Sequence, residues 1–285
     1  MPRAVPAAYA ACALIWGTTW YAIRVCIGPG GYAWPTAVAL RFGVAFVVLL
    51  PIALRARPWP RGSAWWWLVL AGVLDAAAYA LVYLGEERVP GGLAAVLFGT
   101  QPLILALLLQ VFRIERITRR HMLGAVISIA GVTVIFLDRL DVSLAQAIGV
   151  LLILGSVLLA TLYSMLMKRQ TTGGLVSTTI FIGVTAIALG VLAVALRSPV
   201  PWPPPAEPTL ALLYLALVGS VIAFLAYFWL LDRTSLVVTS TLVFVYPLVA
   251  LVTDALFERE ITLGARAYAG VAIALAGLAV TLRRR

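Results

Sequence analysis

Ten apolar segments of membrane-spanning length follow one another along this chain of 285 residues. A helix needs about 20 mostly apolar residues to cross a bilayer. The segments, bounded by Gly, Pro or charged residues, cover 7–27, 34–54, 64–85, 90–112, 121–137, 145–167, 174–196, 208–231, 236–257 and 264–282. Only 11% of the residues are charged, whereas a soluble domain carries about 25%. The sequence therefore predicts an all-α integral membrane protein with ten transmembrane helices.

The basic residues predict the orientation of these helices. If the N-terminus is cytoplasmic, most Lys and Arg residues fall in cytoplasmic loops, including Arg119, Arg120 and the C-terminal Arg283–Arg285. Cytoplasmic loops of membrane proteins are enriched in these two residue types. Both termini are therefore expected to be cytoplasmic. The net charge of +10 belongs to the same bias and does not indicate a nucleic-acid partner.

The second half of the chain repeats the order of features in the first half. Pro102 and Pro247, each in the middle of an apolar segment, are 145 positions apart, and an E-R-(E)-I-T element follows each of them. Five helices per half is an odd number, so the second half enters the membrane from the opposite side. We expect two inverted-topology repeats, residues 1–140 and 141–285. Such repeats enclose a midplane site in many transporters.

These features resemble the drug/metabolite transporter superfamily, in its ten-helix branch with two EamA repeats. The resemblance is carried by WGTTWYAIR at 16–24, P-x5-R from Pro35 to Arg41, the mid-span prolines, the E-R-(E)-I-T elements and the pairs Gly124/Gly131 and Gly270/Gly277. The aromatic content is similar to that of YddG-type amino-acid exporters. The resemblance implies a secondary transporter of the bacterial inner membrane. It would export small metabolites, with aromatic and neutral amino acids favoured, by alternating access through a central cavity.

Asp75 lies near the middle of the third apolar segment, with Tyr79 and Tyr83 on the same helix face. A carboxylate at that depth costs about 2.5–3.5 kcal/mol on insertion scales. One interpretation places Asp75 in a substrate cavity, where it takes up a proton or an ammonium group. The other pairs it with Arg41 as a structural clamp. Arg41 itself either binds a substrate carboxylate, snorkels towards an interface or pairs with an acid.

Aromatic and small polar residues near the middle of other segments are further candidates for the cavity wall. Such walls suit flat, partly apolar substrates, although packing is an equally good interpretation of each residue. The candidates are Trp16, Thr19 and Trp20 in the first segment, Tyr163 and Ser164 in the sixth, and Ser220 and Phe224, the repeat mates of Asp75 and Tyr79, in the eighth.

Gln101-Pro102 and Tyr246-Pro247 occupy matching places in the fourth and ninth segments. Proline opens one backbone carbonyl in the preceding turn. In lipid that carbonyl needs a partner, which a cavity provides. Gln101 and Tyr246 are therefore candidates for the translocation path, and Pro102 and Pro247 for hinges. The alternative is a static kink that only shapes packing.

Other functions fit the composition less well. Multidrug or organic-cation efflux is the alternative, since an intramembrane acid among aromatic rings also suits a cation. A membrane-embedded enzyme or a scaffold is more remote, because the loops hold few acids and no nucleophile or phosphate-binding motif. One His and two Cys disfavour a metal site. We expect no catalytic residue, cofactor or metal; the expected partners are a small-molecule substrate and the lipid bilayer, with the chain a monomer or homodimer.

Overall fold

Thirteen α-helices and one π-helical segment make up the part of the chain that the computed structural model describes, residues 4–89, 91–113, 118–136, 143–170, 174–257 and 265–282. No strand occurs in these ranges. The helices are α1 (Ala4–Ile27), α2 (Trp34–Arg55), α3 (Ala64–Glu86), α4 (Gly91–Phe98), α5 (Gln101–Phe112), α6 (Arg119–Phe136), α7 (Leu144–Gln170), α8 (Leu175–Ala195), α9 (Ala206–Ala216), α10 (Ala223–Arg233), α11 (Leu236–Ser240), α12 (Leu242–Phe257) and α13 (Ala265–Leu282). The π-helical segment, called the π-turn below, is Leu217–Ile222, between α9 and α10.

Helix boundaries follow the breakers in the sequence. Pro35 lies in the first turn of α2, where its missing N–H is not needed. Gly30, in the turn after α1, has a φ of 76°, which glycine adopts without strain. Six helical stretches in the described ranges are long and apolar enough to cross a membrane: Ala4–Ile27, Trp34–Arg55, Ala64–Glu86, Leu144–Lys168, Leu175–Ala195 and Ala206–Arg233. The ten-helix count, the two inverted halves and the cytoplasmic termini stay predictions.

The fourth apolar segment is broken into two helices. Its break lies at Gly99–Thr100, between α4 and α5, and the Thr100 hydroxyl donates to the Leu97 carbonyl at 2.6 Å. A threonine side chain that bonds to a nearby carbonyl competes with continued helix. Pro102 follows in the first turn of α5. It therefore begins a helix and does not kink one.

The ninth apolar segment is also broken, but away from its proline. The break lies at Thr241, whose hydroxyl donates to the Val238 carbonyl at 2.7 Å and meets the Tyr9 hydroxyl at 2.9 Å. Pro247 lies six positions later, inside α12. One break thus lies beside its predicted hinge, Pro102, and the other lies more than one and a half turns from Pro247. A hinge role for Pro102 and Pro247 stays a prediction. Most residues of the E-R-(E)-I-T elements lie outside the described residues.

Helices from the two halves of the chain pack against each other. Helix α2 contacts α8, and α3 contacts α7. Helix α1 runs along α12, α9 and α10, and α6 pairs with α13. Each of these pairs joins a helix before residue 140 to one after residue 143. The buried core therefore lies between the halves, and a site there takes side chains from both.

The glycine pairs form a close seam between α6 and α13. A methyl group on Gly131 would fall against the backbone nitrogen of Ala274 and 2.7 Å from the Gly270 carbonyl oxygen. The Ser128 hydroxyl donates to the Ala274 carbonyl at 3.0 Å across the same seam. Small residues allow such backbone approach in membranes. This face is therefore used for helix packing within the chain. The oligomeric state, monomer or homodimer, stays a prediction.

Candidate functional site

A cavity of about 90 Å³ lies between helices of both halves. Its wall is mainly aromatic and aliphatic with a few polar groups, as is typical of small-molecule sites. The wall is formed by Trp16, Thr19, Trp20, Ile23, Arg41, Ala78, Tyr79, Val82, Phe98, Gln101, Ser156, Ala160, Tyr163, Tyr227, Thr239 and Tyr246. Of the predicted cavity residues, Trp16, Thr19, Trp20, Tyr79, Gln101, Tyr163 and Tyr246 are therefore brought together, whereas Asp75, Tyr83, Ser164, Ser220 and Phe224 lie outside the lining.

Arg41 alone carries a formal charge among the described residues of this wall. Its Nε donates to the Ser220 hydroxyl at 2.9 Å, and its Nη2 donates to the Gly219 carbonyl at 3.2 Å. The hydroxyls of Tyr83 and Tyr79 lie 3.4 Å from Nη1 and 3.5 Å from Nη2, which is long for hydrogen bonds. Arg41 is only 1% exposed and forms no ion pair with a described carboxylate. It therefore does not snorkel, and no carboxylate of the described residues contacts it directly, although Asp75 and Glu86 lie within electrostatic range.

Asp75 is fully buried outside the cavity wall, against α8. The Thr185 hydroxyl donates to its Oδ2 at 2.9 Å, while Oδ1 has no hydrogen-bond partner among the described residues. Asp75 and Arg41 lie within electrostatic range of each other but form no direct ion pair, so the predicted clamp is not a contact salt bridge. At Gly72, one turn before Asp75, α3 approaches α8 so closely that an added methyl would lie 2.7 Å from Val184. That contact encloses the carboxylate between the two helices.

Trp16 is at the centre of the aromatic part of the wall. Its ring centroid lies 5.0 Å from that of Tyr227, 5.9 Å from Tyr246 and 5.6 Å from Phe224. Its Nε1 donates to the Gly219 carbonyl at 3.2 Å. Tilted and edge-to-face rings at these distances attract one another beyond their area of contact. The arrangement holds the indole in place and leaves ring surface facing the cavity.

Four of the five predicted residues outside the lining contact lining side chains. Ser164 accepts a hydrogen bond from the Tyr227 hydroxyl at 2.9 Å. Phe224 is fully buried and packs against Trp16 as described above. Ser220 and Tyr83 contact the Arg41 guanidinium. These four residues therefore lie one layer behind the wall.

Several lining residues were not predicted, and the repeat spacing relates two of them to each other. Tyr227 lies 145 positions after Val82, and both line the cavity. The same spacing relates Gln101 to Tyr246, which also line it. Ser156 and Phe98 are the other polar or aromatic residues that the sequence reasoning missed.

Two polar atoms of the wall lack a protein partner. The Trp20 Nε1 and the Ser156 hydroxyl are buried and have no hydrogen-bond partner among the described residues. An indole N–H only donates, whereas a hydroxyl both donates and accepts. Buried polar groups are usually satisfied. Each group could therefore donate to an acceptor atom of a bound molecule.

Comparison with known families decides which group of proteins this fold and cavity belong to. The model of the EamA-like transporter family matches residues 6–137 and 147–283, nearly the whole chain. The chain belongs to the EamA-like transporter family. The resemblance to the drug/metabolite transporter superfamily is thereby confirmed. The closer similarity to YddG-type exporters stays a prediction.

Several relatives of this EamA-like chain are known by name. It is 25% identical to Protein PagO of Salmonella typhimurium, over 83% of this chain and 79% of that protein. It is 29% identical to "Uncharacterized inner membrane transporter YedA" of Escherichia coli K12, over 83% and 77%. It is 28% identical to the "Probable terminal-alkyne amino-acid exporter" of Streptantibioticus cattleyicolor, over 94% and 90%. The relatives thus include named transporters, and this chain is a multi-pass membrane protein.

The EamA-like chain also matches a solved crystal structure. The TM-score is 0.77 with 19% sequence identity, and the match covers 98% of this chain and 96% of the other. Similarity at this identity shows a shared fold along almost the whole length.

Proposed function

We propose that this EamA-like protein exports small metabolites that carry a carboxylate, aromatic and neutral amino acids foremost. The observation that carries the proposal is Arg41, a buried cation in the cavity wall without a carboxylate partner among the described residues. A charged residue buried within a membrane is costly, and such residues commonly mark substrate pathways. A substrate carboxylate would offset that cost through charge-assisted hydrogen bonds to the guanidinium.

The rest of the wall fits the remainder of such a molecule. The rings of Trp16, Tyr227 and Tyr246 offer a surface for a flat or apolar side chain. The same electron-rich faces attract an ammonium group through cation–π contacts. Trp20 and Ser156 offer unsatisfied polar atoms to an acceptor on the substrate.

Organic-cation efflux is the weaker alternative. It relied on Asp75 as the partner of a cation, but Asp75 lies outside the cavity wall and receives a bond from Thr185. The charge in the wall is instead the positive charge of Arg41, which repels a cation. Membership of a transporter family argues against an enzyme.

We propose alternating access by two inverted five-helix repeats, residues 1–140 and 141–285, as the transport mechanism. Two observations support it: helices of the two halves pack against each other, and cavity residues recur at a spacing of 145. The breaks at Thr100 and Thr241 are candidate points of bending in corresponding segments. The bias of Lys and Arg supports cytoplasmic termini. The named inner-membrane relative supports the bacterial inner membrane.

Transport into proteoliposomes tests the function directly. Labelled tryptophan, phenylalanine, threonine and methionine are offered with and without an imposed pH gradient. We expect saturable uptake of at least one of them, competed by unlabelled amino acids and not by tetraethylammonium. Competition by the quaternary ammonium ion alone, or no protein-dependent flux of any of the four, would reject the proposal.

Asp75→Asn is expected to abolish stimulation by a pH gradient while preserving exchange of labelled for unlabelled substrate. Asparagine keeps an oxygen acceptor for Thr185 but has no titratable proton. Asp75 is a buried carboxylate with one unpartnered oxygen, and intramembrane acids often relay protons. Glu87→Gln, which changes an exposed acid at the end of α3, is the control. Unchanged pH stimulation in Asp75→Asn would remove this residue from coupling.

A further inference from the structure

The π-turn interrupts a helix that would otherwise run unbroken from Ala206 to Arg233. Single π-helical turns inside α-helices are rare and occur frequently at functional sites. Here the turn contains Gly219 and Ser220, which lie directly behind the cavity wall and are both buried. Both residues contact Arg41. The irregular turn and the buried cation are therefore parts of one arrangement.

The two residues of the π-turn occupy one edge of the Arg41 guanidinium. That edge consists of Nε and Nη2, which donate to the Ser220 hydroxyl at 2.9 Å and the Gly219 carbonyl at 3.2 Å. A bidentate carboxylate would place two oxygens in the same way. The Ser220 hydroxyl gives its own proton to the Leu215 carbonyl at 3.0 Å. Its lone pairs are thus left to accept from Arg41, and the edge is fixed.

The other edge of the guanidinium is held loosely. It consists of Nη1 and the second N–H of Nη2, which face the Tyr83 and Tyr79 hydroxyls at 3.4 and 3.5 Å. Contacts of that length contribute little. A guanidinium has five N–H donors. The two contacts at each edge use four of them, so one N–H of Nη1 has no hydrogen bond to the described residues. A ligand carboxylate would displace only the two weak tyrosine contacts to gain two parallel hydrogen bonds.

The π-turn also fixes the aromatic side of the cavity. The Gly219 carbonyl accepts from the Trp16 Nε1 at 3.2 Å, in addition to Arg41. The approach is close, since a methyl group on Gly219 would lie 3.0 Å from the Thr19 methyl carbon and 3.5 Å from the Arg41 Nη2. One carbonyl therefore sets the distance between the indole and the guanidinium.

We infer that the π-turn is the positioning element of the substrate site, with Ser220 as a positioning residue for Arg41. It occupies the Nε–Nη2 edge of the guanidinium and presents the opposite edge to a planar carboxylate, at a fixed distance from the Trp16 ring. The ligand class that fits is a carboxylate joined by a short linker to an apolar or aromatic group. This inference rests on the proposed function and adds the element that gives the site its preference for carboxylates.

The test compares two ligands that differ in charge but hardly in shape, 3-phenylpropionate and 3-phenylpropanamide. Each is titrated into the purified full-length protein, and ligand binding is followed through the rise in melting temperature and through competition with phenylalanine flux. In Ser220→Ala we expect the half-effective concentration of phenylpropionate to rise about fivefold or more, with that of the amide unchanged. Ser220→Thr, which keeps the hydroxyl, is expected to behave as wild type.

A double-variant cycle shows whether Ser220 acts through Arg41. In an Arg41→Lys background, Ser220→Ala should cause no further loss of preference for the carboxylate, because the edge that it positions is absent. Equal shifts for acid and amide in Ser220→Ala, or additive losses in the cycle, would overturn the inference. A wild-type protein that responds to neither ligand would instead reject the proposed function. A folding defect would show as a lower melting temperature without ligand, and Ser220→Thr then supplies the comparison.

Discussion

Replacing Arg41 with lysine is expected to raise the half-saturating concentration of carboxylate substrates by about 10- to 150-fold, the equivalent of the 1.5–3 kcal/mol of a hydrogen bond to a charged group. Lysine keeps the positive charge but offers one ammonium group on a flexible stem in place of a planar fork. It cannot reach Ser220 and Gly219 with one edge and a ligand with the other. The measurement is phenylalanine uptake into proteoliposomes over a range of concentrations.

The matched control is Arg55→Lys, the same substitution at the end of the same helix. Arg55 is exposed, and its Nη1 lies 3.5 Å from the Pro51 carbonyl. We expect wild-type uptake from it. Melting temperature and size-exclusion profile show whether Arg41→Lys folds, since Arg41 contacts residues of α3 and the π-turn. A folded Arg41→Lys protein with wild-type half-saturation would contradict the role of Arg41 as a carboxylate anchor.

Helix positions were predictable from the sequence because membrane insertion depends on local composition. The apolar segments at 34–54 and 64–85 correspond to α2 (Trp34–Arg55) and α3 (Ala64–Glu86) within two residues at each end. The repeat also predicted residues that meet at the cavity, since Gln101 and Tyr246 both line it. The length and hydropathy of the apolar segments and the spacing of the repeat can be read from the sequence because they do not depend on tertiary contacts.

Which neighbouring helix covers each part of a helix face could not be predicted, and that decides which polar residue faces the cavity. Asp75 and Tyr79 share a helix face by spacing, yet Tyr79 lines the cavity and Asp75 does not. The difference arises at Gly72, where α8 covers that end of the face. A glycine in an apolar helix does not reveal which neighbour will approach it. The same spacing therefore fits both a cavity acid and an enclosed one.

The π-turn was equally invisible in the sequence. Leu217–Ile222 reads as ordinary apolar helix, without proline or charge. Its carbonyl at Gly219 is satisfied by Arg41 from α2 and Trp16 from α1. An irregular backbone in a membrane is tolerated where other groups supply the missing partners. The conformation thus depends on contacts between distant parts of the chain, which no local pattern records.

Gly131→Ala is expected to destabilise the protein by about 1–3 kcal/mol, as overpacking does in well-packed cores. The added methyl would fall against the Ala274 backbone nitrogen and 2.7 Å from the Gly270 carbonyl. Backbone atoms cannot rotate away as a flexible side chain would, so α6 and α13 must separate. That separation would also stretch the bond from Ser128 to the Ala274 carbonyl. Thermal unfolding in detergent, followed by circular dichroism, measures the loss.

Gly43→Ala and Gly190→Ala are the controls, because a methyl group at either position meets nothing within 4 Å. Both glycines lie inside helices, so alanine should leave stability unchanged or raise it slightly through its helix propensity. The three variants make the same chemical change and differ only in what surrounds it. If all three variants unfold at the same temperature, the added methyl at Gly131 has no specific cost and the seam is not close-packed. If Gly131→Ala alone is destabilised, α6 and α13 are close-packed at this seam, and their pairing is one of the contacts that join the two halves of the chain.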